Sequence, residues 1–398
     1  MSETWRDLLK PLASLRLTVV LLALSIFLIF AGTWAQIDMG IWTTLKTYFR
    51  SYFVWIPLQI FLPRQWDVPG SIPYPGGATL GSALFINLLA AHSTRFQWKR
   101  KKVGIWLVHL GLLLLLAGEG LTGMLAEESN MSIDEGQTVN YAEDIRVAEL
   151  AVIDKSDPNQ DHVVVIPQSM LRKGHVIRWA SLPFELRIDD YHQNAHLREA
   201  KPADAPVAAT RGTAAKHSLI VDPQPAVSGV TQGEMDLPVA LVTPVANGQE
   251  LGTWMTSLYF SLMPEDGPQI LEYAGKPYEL VLRYKRVYKP YAVQLIDFKH
   301  DVYIGTTMPK NYSSQIRLID PAHNENREVL IYMNNPLRYR GETFYQASFK
   351  QGDVGTVLQV VRNPGWLLPY IACTLGALGM LIHFGQQLLR SFSKRVAT

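Results

Sequence analysis

The chain has 398 residues, with 37 Lys+Arg against 35 Asp+Glu and a single cysteine. The near balance of charge excludes the basic footprint of a nucleic-acid binder. One thiol, Cys373 in an apolar run, excludes an intramolecular disulfide framework and a paired-thiol redox motif. Hydrophobic residues make up 48% and concentrate toward the two ends, leaving a polar middle.

A helix needs about 20 mostly apolar residues to cross a bilayer. "LRLTVVLLALSIFLIFAGTWAQI", from Leu15 to Ile37, meets that and lacks the small-residue cleavage site of a signal peptide. The segment 40–63, "GIWTTLKTYFRSYFVWIPLQIFLP", is aromatic but carries Lys46 and Arg50. It reads as interfacial, with its rings at headgroup level. Residues 76–95 form a shorter apolar stretch, and 103–123 a strong one with five consecutive leucines. The last span, 365–389, tolerates Pro369 because that residue falls in the first helical turn.

Four spans follow, and the lysines and arginines orient them. Arg6, Lys10 and Arg16 precede the first span; Arg95, Lys99, Arg100, Lys101 and Lys102 lie between spans two and three; Arg390, Lys394 and Arg395 follow the fourth. These three segments share one side, the cytoplasm by the positive-inside rule. Both termini are then cytoplasmic in a multi-pass inner-membrane protein, and residues 125–362 lie in the periplasm or its equivalent. The expected organisation is an N-terminal membrane region (1–124), an extracytoplasmic domain (125–362), and a C-terminal span with a cytoplasmic tail (363–398).

The outer segment reads as strands. "HVVVIPQ", "LPFELRIDDY", "YELVLRYKRV", "YAVQLIDF", "SSQIRLID" and "REVLIYMN" are short β-branched or aromatic runs separated by turn chemistry. The expectation is an all-β, sandwich-like domain between spans three and four. The Ala/Pro-rich stretch around 200–215 reads as a loop or insertion.

Ionisable groups inside spans are functional candidates by default. His109 lies six residues into span three, roughly 10 Å from its cytoplasmic end. His383 in span four and His92 near the end of span two fall at a similar depth by topology. The bland alternative for each is a packing histidine bonded to a neighbouring carbonyl, or a side chain marking the interface. Glu119 sits near the outer end of span three, where water contact accounts for it; the sharper alternative is a role in exit of a cargo or in proton balance. His192 and His196 have i,i+4 spacing, but the strand pattern around them argues against a helical metal site. "LRYRGETFYQASF" mixes basic and aromatic residues at period two, as an outer strand or as a docking surface.

Three stretches carry a family resemblance. "SLRLTVVLLALSIFLIFAGTWAQ" is similar to the first span of the ResB family (also called CcsB) of system II cytochrome c biogenesis proteins. "VHLGLLLLLAGEGLTGMLAEESNMSIDEGQTVN" resembles that family's third span and its exit. "NNPLRYRGETFYQASFKQGDVGTVLQVVRNPGWLLPYIACTLGALGMLIHF" resembles its closing module. The stretch near 200–215 and the ending "LLAAHSTRF" with His92 depart from the pattern.

The resemblance implies a cytochrome c-type assembly factor. With a ResC/CcsA-type membrane partner it would carry haem from the cytoplasmic side and support its attachment to apocytochrome c. It implies His109 as an axial ligand of a transient haem b shared with the partner, and a thioredoxin-like thiol reductant as a further partner; His383 and His92, at a similar depth by topology, are weaker candidates. Imidazole is a good axial ligand for haem iron, and Lys and Arg at the cytoplasmic ends can pair with propionates. No run like the partner's tryptophan-rich "WGxxWxWD" segment occurs here. Apart from the resemblance, no Ser-His-Asp order, phosphate loop or dinucleotide fingerprint is present, so the expectation is an assembly factor rather than an enzyme. Two alternatives stay open: a scaffold that binds no haem, stabilises the partner and docks apocytochrome c, and an unrelated transporter or sensor with an outer β-domain.

Overall fold

The computed structural model describes residues 9–63, 65–66, 68–95, 99–227, 235–262, 268–305, 309–350, 352 and 354–396. Arg6 lies outside them. The chain divides into a helical unit, Met1–Glu127 with Arg362–Thr398, and a β unit, Glu128–Val227 with Gly233–Val361.

The helical unit holds four long helices: α1 (Leu15–Thr44), α2 (Gly77–Arg95), α3 (Val103–Leu125) and α4 (Leu368–Val396). Among the described residues, three segments are long and apolar enough to cross a membrane: Leu15–Phe49, Val103–Leu125 and Leu368–Phe392. The helix α2 has 19 residues and is less apolar. Over the segment expected to be interfacial, α1 continues through a kink at Gly40, whose φ of 71° only glycine adopts readily. A π-helical turn, Leu45–Phe49, follows, and then a hairpin of β1 (Phe53–Pro57) and β2 (Ser71–Pro75). Asn87 clamps α2 to α1: it is almost fully buried, accepts from the Thr18 hydroxyl at 2.7 Å and donates to the Leu12 carbonyl at 2.6 Å. Below these polar ties, Leu21, Leu28, Ala31, Tyr48, Ile56 and Leu80 form one apolar cluster.

The β unit is built on two long strands. They are β4 (Thr138–Asp154) and β14 (Lys276–Val302), paired antiparallel with Arg283 opposite Glu149. Around them a ten-stranded sheet takes β3 (Glu127–Asp134), β5 (His162–Pro167), β13 (Gln269–Tyr273), β15 (Pro309–Asp320), β16 (Glu325–Tyr332), β17 (Leu337–Tyr339), β18 (Glu342–Phe349) and β19 (Gly355–Arg362). A five-stranded sheet takes β6 (Val176–Ile177), β7 (Glu185–His192), β10 (Val239–Ala246), β11 (Gln249–Glu250) and β12 (Trp254–Ser257). A separate hairpin joins β8 (Ala195–Glu199) to β9 (Leu219–Pro223).

Two cores result, and β4 and β14 contribute to both. Leu280 and Leu282, alternating along β14, face Leu150 and Val152 of β4 and pack against Leu186, Ile188 and Val242 of the second sheet. This half is a two-sheet sandwich. Further along, Val293 and Leu295 meet Ile133, Ile316, Leu318, Phe344 and Leu358, all from the ten-stranded sheet. That half is one sheet rolled on itself, with β16 packed beside β18. Ser314, Gln346 and Thr356 close it with hydrogen bonds of 2.6 and 2.9 Å from the Ser314 hydroxyl. The sandwich expectation therefore describes only half of the β unit. The Arg283–Glu149 pair, at 2.9 Å and with both side chains 6% exposed, pins the register of the long strands. Asp320 takes hydrogen bonds from Tyr339 (2.7 Å) and Arg340 (2.9 Å) at the β15–β16 turn. The Tyr339 hydroxyl, with His323 and Arg340 beside it, holds that carboxyl below the usual carboxylate range.

The stretch expected as a loop around 200–215 is anchored. Arg198 grips Asp204 through two hydrogen bonds of 2.7 and 2.9 Å, and Ala209 and Ala214 are buried against Val239, Leu241 and Met255.

Candidate functional site

The helix α3 presents two different faces. Gly104, Gly111 and Gly118 recur every seven residues, close to two helical turns, and so line one stripe. That stripe lies on α4. A Cβ on Gly104 would fall 2.6 Å from the His383 backbone nitrogen, and one on Gly111 2.6 Å from the Ala372 carbonyl. Gly379 of α4 answers in kind, 2.7 Å from the Gly104 carbonyl. Backbone meets backbone, as small residues allow between apolar helices.

His109 is five residues beyond Gly104, roughly 140° around the helix from the stripe. It faces α2. There its ring meets the His92 ring edge-on, with centroids 5.0 Å apart and planes at 74°. Trp106, three residues before His109, touches the other side of the pair and lies 4.9 Å from His92 in a T-shaped contact. The His92 Nδ1 lies 3.0 Å from the Leu88 carbonyl. A carbonyl oxygen only accepts, so Nδ1 donates in this bond. This is the arrangement that orients a metal-ligating imidazole.

Beside the pair runs a groove of about 320 Å³ lined by His92, Lys99, Val103, Trp106, Leu107 and Leu110, with Leu113 at its end. Its wall is apolar, with one imidazole and one ammonium. His109 stands behind His92 and is not part of that wall.

His383 is placed differently. Its backbone lies against Gly104 and its ring Nε2 is 2.9 Å from the Gln387 amide nitrogen. Its ring contact is with Phe384. The structure therefore brings His92 and His109 together and leaves His383 on the other face of α3. Glu119 is exposed on α3, and Cys373 is exposed on α4.

In the β unit, His192 ends β7 and His196 lies on β8, so their spacing does not place them on one helical face. The strand "LRYRGETFYQASF" becomes the β17–β18 hairpin. Leu337 and Phe344 enter the core, Arg340 binds Asp320, and Glu342 holds Lys289 and Tyr291, leaving Tyr345 among the exposed rings. Much of its basic and aromatic character is thus spent inside the unit. Sequence reasoning missed the Trp106 contact and the glycine stripe. The i,i+3 spacing of Trp106 and His109, and the seven-residue glycine repeat, were the available signals.

Apolar helices at both ends and a β-rich unit between them define a transmembrane protein with a large non-membrane domain. A model of the ResB-like family matches residues 276–357, from the start of β14 into β19. Protein NrfI of Wolinella succinogenes is 27% identical over 309 residues, covering 76% of this chain and 29% of the relative. The chain thus spans about three tenths of the length of that relative. These matches make the chain similar to ResB-like proteins from β14 into β19 and to NrfI over 76% of its own length.

Proposed function

We propose that the chain is a cytochrome c biogenesis factor that takes haem b as transient cargo at the cytoplasmic side and passes it outward with a ResC/CcsA-type membrane partner. Apocytochrome c receives the haem, and a thioredoxin-like protein keeps its thiols reduced. The chain contributes binding and positioning rather than a reaction of its own. In this reading α2 is the fourth span. At about 1.5 Å per residue its 19 residues reach about 28 Å, close to the hydrocarbon thickness. Only with α2 crossing do the basic segments before α1, between α2 and α3, and after α4 share the cytoplasmic side. The β unit is then periplasmic.

The observation that carries the reading is the His92–His109 pair with its apolar groove and Lys99. Imidazole suits haem iron, the apolar wall suits the macrocycle, and the ammonium suits a propionate. Two imidazoles on opposite axial positions, each about 2 Å from the metal as metal–imidazole bonds are, have centroids roughly 6 Å apart with the macrocycle between them. At 5.0 Å and in edge contact, the His92 and His109 rings leave no gap for a macrocycle between them. His109 is the resting ligand in this proposal, and the opposite ligand comes from the partner.

The test is the absorption spectrum of the chain purified with its partner, for wild type and His109→Ala. The expected result is loss of the low-spin Soret band in the variant and its return on adding imidazole. An unchanged band would overturn His109 as a ligand and leave the chain a scaffold.

A further inference from the structure

The groove and the resting ligand do not coincide. His92 lines the groove and His109 does not. His92 is three residues from Arg95, the last residue of α2, while His109 is six residues into α3. On the proposed topology these are roughly 5 Å and 9 Å from the cytoplasmic helix ends. A ligand arriving from that side meets Lys99 and His92 before it meets His109.

From this placement we infer that His92 is a loading ligand: haem enters the α2–α3 groove, binds first to His92 with a propionate on Lys99, and is then handed to His109. The inference rests on the haem-carrying reading above. His92 is prepared for the role. Its Nδ1 donates to the Leu88 carbonyl, and that bond fixes the orientation of the ring. Trp106 braces the ring at 4.9 Å, and the ring edge abuts His109. Because the two rings touch with no gap between them, they would take the iron in turn rather than together. In the exchange the Fe–Nε2 bond to His92 breaks and an Fe–N bond to His109 forms. One Fe–N bond replaces another, and the iron keeps its oxidation state. The shift is short because the rings already touch. The bond to Leu88 alone would fit a packing His92; its place on the groove wall is what distinguishes it.

The experiment follows haem uptake by stopped-flow absorbance, with haemin added to the cytoplasmic face of inside-out vesicles that carry the chain and its partner. The expected result for His92→Ala is uptake slowed by about tenfold or more, the scale of losing a metal-site group, with the final low-spin spectrum unchanged. Imidazole small enough to fill the vacated space restores the rate. Lys99→Gln, at an exposed position that leaves the helix packing intact, slows uptake as well, which keeps the test sound if His92→Ala folds poorly. Wild-type rates in both variants would overturn the inference while leaving His109 in place. Loss of the final low-spin spectrum in His92→Ala would also overturn it, because His92 would then be a resting ligand. Absence of uptake by the wild type would overturn the haem-carrying reading itself.

Discussion

The two faces of α3 are made of the same twenty-three residues and do opposite things. Toward α4, Gly104 and Gly111 let the helices close until backbone meets backbone, and Gly118 lies against the Leu368 side chain. Toward α2, Trp106 and His109 hold the helices apart, and a groove of about 320 Å³ runs beside them. Packing at interior density leaves no room for a ligand, so a site between helices requires one seam to stay open. The comparison teaches that the closed seam fixes α3 in rotation, and that this fixed rotation aims His109 at His92. The glycines are therefore positioning elements for the site, although none of them touches it.

The sharpest way to break this contrast is Gly111→Ala. Its new Cβ would lie 2.6 Å from the Ala372 carbonyl, an atom that cannot swing away. The helices must separate, at a cost of about 1–3 kcal/mol for overpacking a close contact. The thermal midpoint in detergent should fall, and the Soret band that the proposed function assigns to His109 should weaken with it. If stability falls and the band does not, the closed seam does not set the rotation of α3.

A smaller effect is expected at Asn87, which clamps α2 to α1 and so backs His92 from behind. Asn87→Ala removes the hydrogen bonds to Thr18 and to the Leu12 carbonyl. Interhelical hydrogen bonds between apolar helices contribute about 0.6–2 kcal/mol. Stability should fall by that order in a thermal melt, less than for Gly111→Ala. A larger drop would make the α1–α2 seam, not the α3–α4 seam, the dominant constraint.

Sequence made the open seam partly legible. Hydropathy locates the apolar helices, and topology alone puts His92, His109 and His383 at one depth. Depth is not neighbourhood, however. Which histidines meet depends on helix order and rotation, and those follow from the glycine stripe that a hydropathy reading passes over. The β unit has the same lesson. "YELVLRYKRV" and "YAVQLIDF" read as two strands because Pro290 stands between them, yet both belong to β14. The β4–β14 ladder skips from Tyr288 to Val293, so the missing proline N–H costs no ladder hydrogen bond there. Likewise the Ala/Pro-rich stretch reads as a loose insertion because its composition is that of a loop. Its anchor, the Arg198–Asp204 grip, spans only six residues of a segment without periodicity.

The smallest expected effect is the most informative control for the closed seam. Gly120 lies on α3 two residues beyond Gly118, and a Cβ built there meets nothing within 4 Å. Gly120→Ala makes the same chemical change, in the same helix, as Gly111→Ala. Helix propensity then acts alone and favours alanine by up to about 1 kcal/mol. The thermal midpoint should hold or rise slightly, and the haem spectrum should stay as in wild type. A fall comparable to that of Gly111→Ala would mean that α3 needs glycine for its own conformation. A matching pair of opposite outcomes would assign the cost at Gly111 to the approach of α4, and with it the orientation of His109.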